Sequence, residues 1–279
     1  MPTQLRLGLE GGMGYRVIRP ACQDAMRIES AGQTHIGRRA QNEDSYCIRP
    51  DLGLFVVADG LGGQAGGEVA SRSVVDSFEQ FGERMVHDTE ATWPHTLNPN
   101  RSREENLLMA CTALAQGVLM RRRVGYLREM GSTLVSFAVG EKGGAVAHVG
   151  DSRLYRLRGG ELEGLTTDHS VTEELRAAGL APPPRGQSAF GHIITRALGT
   201  DRAEPTVKRL ELQLGDVYLL CSDGLYEPLG PEKLVEALAL PQLKDVCDSL
   251  VMGAYEAGGR DNITAVVVRV AASPLPSMI

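Results

Sequence analysis

Leu54-Phe55-Val56-Val57-Ala58-Asp59-Gly60 is the stretch on which the fold turns. Five apolar residues run into an Asp-Gly pair, a short apolar run bounded by turn residues that reads as a strand. The pattern recurs at Val217-Tyr218-Leu219-Leu220-Cys221-Ser222-Asp223-Gly224. Elsewhere the order inverts: Asp44 stands just before Ser45-Tyr46-Cys47-Ile48, and Asp261-Asn262 just before Ile263-Thr264-Ala265-Val266-Val267-Val268. Two acids close strands and two open them. In an antiparallel sheet the end of one strand lies beside the start of its neighbour, so all four carboxylates can gather at one sheet edge. Four like charges held together need a positive charge among them, and a metal ion is the natural candidate.

Working outward, strand-like runs fall at 28–33, 45–49, 53–58, 132–139, 144–149, 152–157, 161–165, 217–222 and 263–270, many alternating or β-branched and bounded by Gly or Asp. Helical spacing of apolar residues runs from Gly67 to about Met85 and from Ser102 to about Arg123, the second opening on a Ser102/Glu105 capping-box pattern. Pro231 to Leu238 and Leu243 to Ala257 supply two more helices. Strands, two helices, more strands, then helices and a last strand do not make the steady alternation of a parallel sheet. The order predicts an α+β fold, with hairpins packed into sheets and helices on their outer faces.

One domain, about 27–272, carries this pattern, with a loosely ordered tail over 1–26 and a short tail over 273–279. His87 to Arg101 reads as an inserted loop. An irregular region over about 168–206 contains Pro182-Pro183-Pro184 and is long enough to suggest a functional role.

The chain has 279 residues, a net charge of -6 and a pI near 5.6. That balance argues against nonspecific binding to nucleic acid or a membrane surface, which needs a basic face. Five scattered cysteines without a CxxC fit a reducing, cytoplasmic compartment, and Cys47 and Cys221 read as small buried hydrophobes. No segment approaches the ~18 apolar residues of a membrane helix, and no signal peptide is visible.

The clustered acids offer oxygen alone, without His or Cys in ligand spacing, which favours Mg²⁺, Mn²⁺ or Ca²⁺ over zinc. Gly60 and Gly224 leave room for a carbonyl to approach an ion or for a sharp turn. Asp151, after Ala145-Val146-Ala147-His148-Val149-Gly150, repeats the strand-then-Asp pattern and could hold a further ion. A single Asp-Gly after a strand is ordinarily just a turn; it is the repetition that points to a site. Gly60-Leu61-Gly62-Gly63-Gln64-Ala65, with Glu79 downstream, also matches a dinucleotide fingerprint. Asp59 at that turn would repel a pyrophosphate, however, and the surroundings lack a βαβ unit.

These residues, in order, resemble a family: the metal-dependent protein Ser/Thr phosphatases of type 2C, in their compact bacterial form. The matching segments are Gly37-Arg38-Arg39-Ala40-Gln41-Asn42-Glu43-Asp44-Ser45, Val57-Ala58-Asp59-Gly60-Leu61-Gly62-Gly63, Met130-Gly131-Ser132-Thr133-Leu134 and His148-Val149-Gly150-Asp151-Ser152-Arg153. They continue with Thr167-Asp168-His169-Ser170, Ile194-Thr195-Arg196-Ala197-Leu198-Gly199, Leu220-Cys221-Ser222-Asp223-Gly224-Leu225 and Gly259-Arg260-Asp261-Asn262-Ile263-Thr264.

The resemblance implies a four-layer α-β-β-α sandwich of two antiparallel sheets flanked by helices. It implies that Asp59 and the Gly60 carbonyl bind a pair of Mg²⁺ or Mn²⁺ ions, that Asp44, Asp223 and Asp261 complete the ligands, and that Glu43 acts through water. Asp151 matches the place that helps hold a third, weaker ion, and Arg39, five residues before Asp44, the arginine that grips the substrate phosphate. Region 168–206 matches the family's flap. The implied reaction is hydrolysis of phosphoserine and phosphothreonine in proteins by a metal-activated water, opposite a Ser/Thr kinase, in a monomeric enzyme.

Animal members carry a histidine where Leu61 stands, which leaves the proton donor open between a metal-bound water and His169. Arg38 competes with Arg39 for the phosphate. His148 reads as a satisfied interior histidine, and Arg121-Arg122-Arg123 as a solvated helix end matched to its dipole. The alternative function is a catalytically silent pseudophosphatase that binds phosphoproteins; such members usually lose metal acids, and here none is missing.

Overall fold

The computed structural model describes residues 14–18, 26–62, 66–87, 93, 97–181 and 193–273. In chain order they form β1 (Gly14–Ile18), β2 (Met26–His35), β3 (Asp44–Arg49), β4 (Leu54–Leu61), α1 (Gly66–His87), α2 (Arg103–Arg122), β5 (Gly131–Ser132), β6 (Leu134–Gly140), β7 (Gly143–Val149), β8 (Arg153–Arg158) and β9 (Glu161–Gly164). There follow α3 (Val171–Ala177), β10 (Thr206–Leu210), β11 (Val217–Cys221), α4 (Asp223–Tyr226), α5 (Pro231–Leu238), α6 (Leu243–Glu256) and β12 (Ile263–Ala272).

One sheet runs β1-β2-β12-β11-β8-β9 and the other β10-β7-β6-β4-β3, with β5 added alongside β4. Every pairing is antiparallel. Among the described residues there is therefore no parallel unit of the kind a dinucleotide fingerprint requires.

The apolar runs explain the layering. Along β4 the side chains alternate: Leu54, Val56 and Ala58 pack with Val74 and Phe78 of α1 and Leu108 and Cys111 of α2. Phe55 and Val57 point the other way, into a second core shared with Tyr218 and Leu220 of β11 and Val266 and Val268 of β12. The opposite faces of β11 and β12, with Leu219, Cys221, Ala265 and Val267, meet Leu234 of α5 and Val246 and Leu250 of α6. Three cores separate four layers, α-β-β-α, as expected. At the middle, the Phe137 ring lies 4.7 Å from that of Tyr218, and each fully buried side chain of this size contributes about 1.5–3 kcal/mol.

The capping box at Ser102 is present, with Glu105 N–H donating to Ser102 Oγ (3.1 Å) and Ser102 N–H to Glu105 Oε2 (2.7 Å). Four features differ from the sequence expectation. Within the supposed tail, Gly14–Ile18 is a strand paired with Met26 to Ser30. The run 132–139 is divided at Thr133, which leaves the ladder to bond Asp59. The irregular region contains α3 and ends at β10, whose Thr-Val-Lys-Arg-Leu sequence buries only Leu210 because it is an edge strand with one neighbour. Asp223 opens the short α4 rather than a turn. Pro182-Pro183-Pro184 and most of the 87–101 insertion lie outside the described residues; Trp93 within that insertion packs edge-on against Phe81. Among the described residues no helix is long and apolar enough to cross a membrane.

Candidate metal and phosphate site

The hairpin of β3 and β4 sets Asp44 and Asp59 directly opposite each other as cross-strand partners. Asp44, at the start of β3, is buried and reaches across to the other sheet: Ser222 Oγ–H donates to its Oδ2 at 2.7 Å and Thr264 Oγ1–H at 2.6 Å. Its Oδ1 is buried and has no partner, and the same is true of Asp223 Oδ1. Asp59 is fixed through its backbone. Its N–H donates to Thr133 Oγ1 (3.0 Å), and its carbonyl accepts from Thr133 N–H (2.8 Å) and Ser132 Oγ–H (3.1 Å).

Gly60 is required by space. A Cβ there would fall 2.0 Å from Gly67 O and 2.7 Å from Glu43 O, and the Gly60 N–H already donates to Glu43 O at 3.0 Å. Gly224 is equally enclosed, since a Cβ would sit 2.1 Å from Asn262 O. These two close approaches bring the β3 entrance against β4 and α4 against the start of β12.

The electrostatics follow from the geometry. Burial, and then the charges of Asp44, Asp223, Asp151 and Asp261, raise the Asp59 carboxyl well above the usual carboxylate range. Burial first, and then Asp151 and Asp261, raise Asp223 likewise. Asp44 is pushed up to about 6 by burial, against the pull of its Thr264 and Ser222 hydrogen bonds. Asp151 reaches about 6 through burial and its neighbour Asp168. Burial raises Glu43, with Arg39 opposing it.

The arginines divide. Arg39 Nη2 donates to Asp261 Oδ2 at 2.5 Å and remains largely exposed, so a cation stands at the mouth of the acidic edge. Arg38 turns away and lies over the Tyr255 ring, 5.9 Å from its centroid. The loop carrying both is held by Asn262, whose Nδ2 donates to Ile36 O and Gln41 O, both at 2.9 Å, and whose Oδ1 accepts Glu43 N–H at 2.8 Å. Gly37, at φ 62, lets that loop lie on Asp261.

His169 does not face this edge as a proton donor. Its Nδ1 accepts Gly150 N–H at 3.2 Å, which leaves the proton on Nε2, 2.8 Å from Thr206 Oγ1. Its ring stacks on His148 at 4.5 Å, and burial plus that neighbour lower it to about 3. Both nitrogens are taken and the ring is neutral, so the histidine is structural. His148 is satisfied as expected, with Nε2–H on Thr167 O at 2.8 Å. Arg122 and Arg123 are engaged rather than simply solvated, on Ser73 and on the carbonyls of Arg128 and Gly199. Cys47 and Cys221 are buried thiols.

Among the described residues, no three acid, imidazole or thiol side chains close on one point as a complete metal cage. The donor set fits an ion of another kind. Two orphaned buried carboxylate oxygens, oxygen donors only, and an open glycine backbone suit Mg²⁺ or Mn²⁺. Mg²⁺ takes one or two carboxylates and keeps several of its own waters.

Comparison with known proteins agrees with this geometry. The sequence profile described as protein phosphatase 2C matches residues 31–250. The chain is 36% identical over 237 residues to the serine/threonine protein phosphatase PstP of Mycobacterium tuberculosis, a match covering 83% of this chain and 43% of that protein. It is 31% identical over 244 residues to the protein phosphatase PhpP of Streptococcus pneumoniae, covering 84% and 94%. The crystal structure of the catalytic domain of PstP with two manganese ions superposes with a TM-score of 0.73 at 33% identity, over 88% of this chain and 99% of that one. The chain thus spans less than half the length of the full mycobacterial relative.

Proposed function

The chain belongs to the protein phosphatase 2C family, and on that premise we propose that it hydrolyses phosphoserine and phosphothreonine in proteins with the help of bound divalent cations. The observation that carries this reading is the meeting of Asp44 and Asp59 across one hairpin, with Asp223 and Asp261 near enough to raise the Asp59 carboxyl and Arg39 bonded at the rim.

In this reading Asp59, the Gly60 carbonyl, Asp44, Asp223 and Asp261 hold two ions, Mg²⁺ or Mn²⁺, and Asp151 helps hold a third and weaker one. Such ions supply Lewis acidity and lower the pKa of a water to near neutrality. The protein does the rest. Ser222 and Thr264 fix Asp44 so that one of its oxygens is left free. The hydroxyls of Thr133 and Ser132 hold the Asp59 backbone in place. Arg39, with a planar fork and an exposed side chain, takes two phosphate oxygens and orients phosphorus, exchanging its bond to Asp261 for one to substrate. The Cys47 and Cys221 thiols, raised by burial and away from ionisation, take no part.

Phosphorylated proteins and an opposing Ser/Thr kinase are the proposed partners, and the protein acts in the cytoplasm as a monomer. The test is Mn²⁺-dependent release of phosphate from a phosphothreonine peptide. Asp223→Asn should reduce it by about a hundredfold or more, the scale on which one preorganised charge-stabilising group acts. Full activity in that variant would overturn the assignment, and a wild-type chain that binds the phosphopeptide without releasing phosphate would favour the silent binding module.

A further inference from the structure

Asp151 and Asp223 stand on different elements, the first in the turn between β7 and β8 and the second at the start of α4. One cation joins them. The guanidinium of Arg153 lies 3.7 Å from the ring centroid of Tyr226, the last residue of α4. The Tyr226 hydroxyl in turn donates to the carbonyl of Asp151 at 3.2 Å. The other edge of the guanidinium grips Asp168 through two parallel bonds, Nε–H to Oδ1 (2.8 Å) and Nη2–H to Oδ2 (2.6 Å), while Nη1–H reaches the Tyr155 hydroxyl (2.9 Å).

Asp168 opens the irregular region, and its neighbour His169 closes a two-way clasp on the same turn. His169 N–H donates to Gly150 O at 2.9 Å, and Gly150 N–H returns to His169 Nδ1 at 3.2 Å. The turn that carries Asp151 is therefore held from one side by the root of this region and from the other by α4, with Arg153 between them. The Arg153 and Asp168 side chains are only 20% and 12% exposed, and a sheltered forked pair of this kind fixes geometry as well as charge. Three N–H groups and one face of the guanidinium are thereby occupied, so Arg153 is not a second phosphate arginine.

We propose that Arg153 is a positioning residue: it sets the separation of Asp151 from Asp223, and so the affinity of the weaker metal site, and ties that site to the root of the region over 168–206. The proposal rests on the metal assignment made above. Because coupling between sites is reciprocal, whatever steadies Asp168 strengthens ion binding at Asp151, and the ion steadies Asp168 in return. Lysine keeps the charge but has neither the planar fork nor the stacking face, which makes Arg153→Lys the discriminating change.

The experiment is a calorimetric titration of Mn²⁺ into the metal-free wild type, Arg153→Lys and Tyr226→Phe, with thermal unfolding of each to establish that it is folded. The wild type should show a tight phase and a weaker one. Arg153→Lys should weaken only the second phase, by about tenfold, as loss of a group that orients a ligand does. Tyr226→Phe, which loses only the bond to Asp151 O, should move the same phase less. A weak phase unmoved in both variants, an equal weakening of both phases, or a wild type without a weak phase overturns the proposal while leaving the phosphatase reading intact. A wild type that binds no Mn²⁺ overturns the metal assignment itself, and this proposal with it.

Discussion

Asp44 and Asp59 face each other across the β3–β4 hairpin, each the direct partner of the other. Like charges placed opposite each other on a sheet are destabilising, so in the metal-free protein this pair works against the fold. Asp59→Asn should therefore raise the thermal midpoint in the presence of a chelator, by about 2–4 °C if about 1 kcal/mol of repulsion is relieved in a domain of this size, while phosphate release collapses. Scanning calorimetry in chelator, beside a phosphopeptide assay in Mn²⁺, reads both. A midpoint lowered by the substitution would mean that the two carboxyls are not in conflict.

Arg39 bonds Asp261 and is more than half exposed, with 55% of its side-chain surface accessible, whereas Arg38 is engaged by Tyr255. Replacing Arg39 by Ala should raise KM for a phosphopeptide by about tenfold, the worth of a charge-assisted bond, while Mn²⁺ binding measured by calorimetry persists. Arg38→Ala should leave KM close to that of the wild type. The reverse pattern would move the phosphate grip one residue upstream.

The acids were legible because each interrupts an apolar run, and a strand's end beside its neighbour's start is a rule of antiparallel sheets. The four layers were legible only through the resemblance; the structure supplies their physical reason, since runs such as Leu54 to Ala58 have no polar face and are covered on both sides. What supports the acids was harder to see. Ser222 and Thr264 look like ordinary ends of apolar strands, and their role appears only when β11 and β12 pair and bring both hydroxyls onto Asp44. The signal available was a lone hydroxyl at the polar end of each run. β10 escaped notice because an edge strand with one buried residue carries almost no alternation. His169 stood as one of two candidate proton donors because sequence cannot tell which bonds a ring nitrogen makes, and here both of its nitrogens are taken.

Asn262 is the other support that sequence alone did not rank. It is buried, and its amide satisfies two carbonyls and one N–H of the loop that carries Arg39. Asn262→Ala leaves those backbone groups without partners, a cost of about 1–3 kcal/mol. Because the loop holds Arg39, the proposed phosphate arginine, and also Glu43, the variant should lose more in kcat/KM than its loss of stability explains, with KM rising more than kcat falls. Unfolding midpoints and steady-state kinetics on the same preparation separate the two effects. Kinetics unchanged in a destabilised but folded variant would limit Asn262 to a structural role.

His169 gives the protein a pH dependence that does not involve the acids. In the folded chain burial and the stacked His148 ring lower it to about 3, while an unfolded histidine titrates near the ordinary value of about 6.5. Below about pH 6.5 the unfolded chain therefore binds a proton that the folded chain refuses, and stability falls as the pH drops. The contribution is complete above about pH 6.5 and is lost toward the folded value, with a slope from this ring of at most about 1.4 kcal/mol per pH unit. In the metal-free protein the raised carboxyls of Asp44, Asp59, Asp151 and Asp223 act in the opposite sense over the same range, because the folded chain holds protons there that the unfolded chain has lost. The His169 part is therefore read as the difference between wild type and His169→Gln on chemical unfolding between about pH 7.5 and 5. In His169→Gln, which cannot titrate, stability should fall less or rise more than in the wild type as the pH drops, the difference being the part that His169 supplies, while His148, itself lowered by burial, contributes to both. An identical slope in the variant would mean that His169 stays accessible to protons in the folded state, contrary to its two occupied nitrogens.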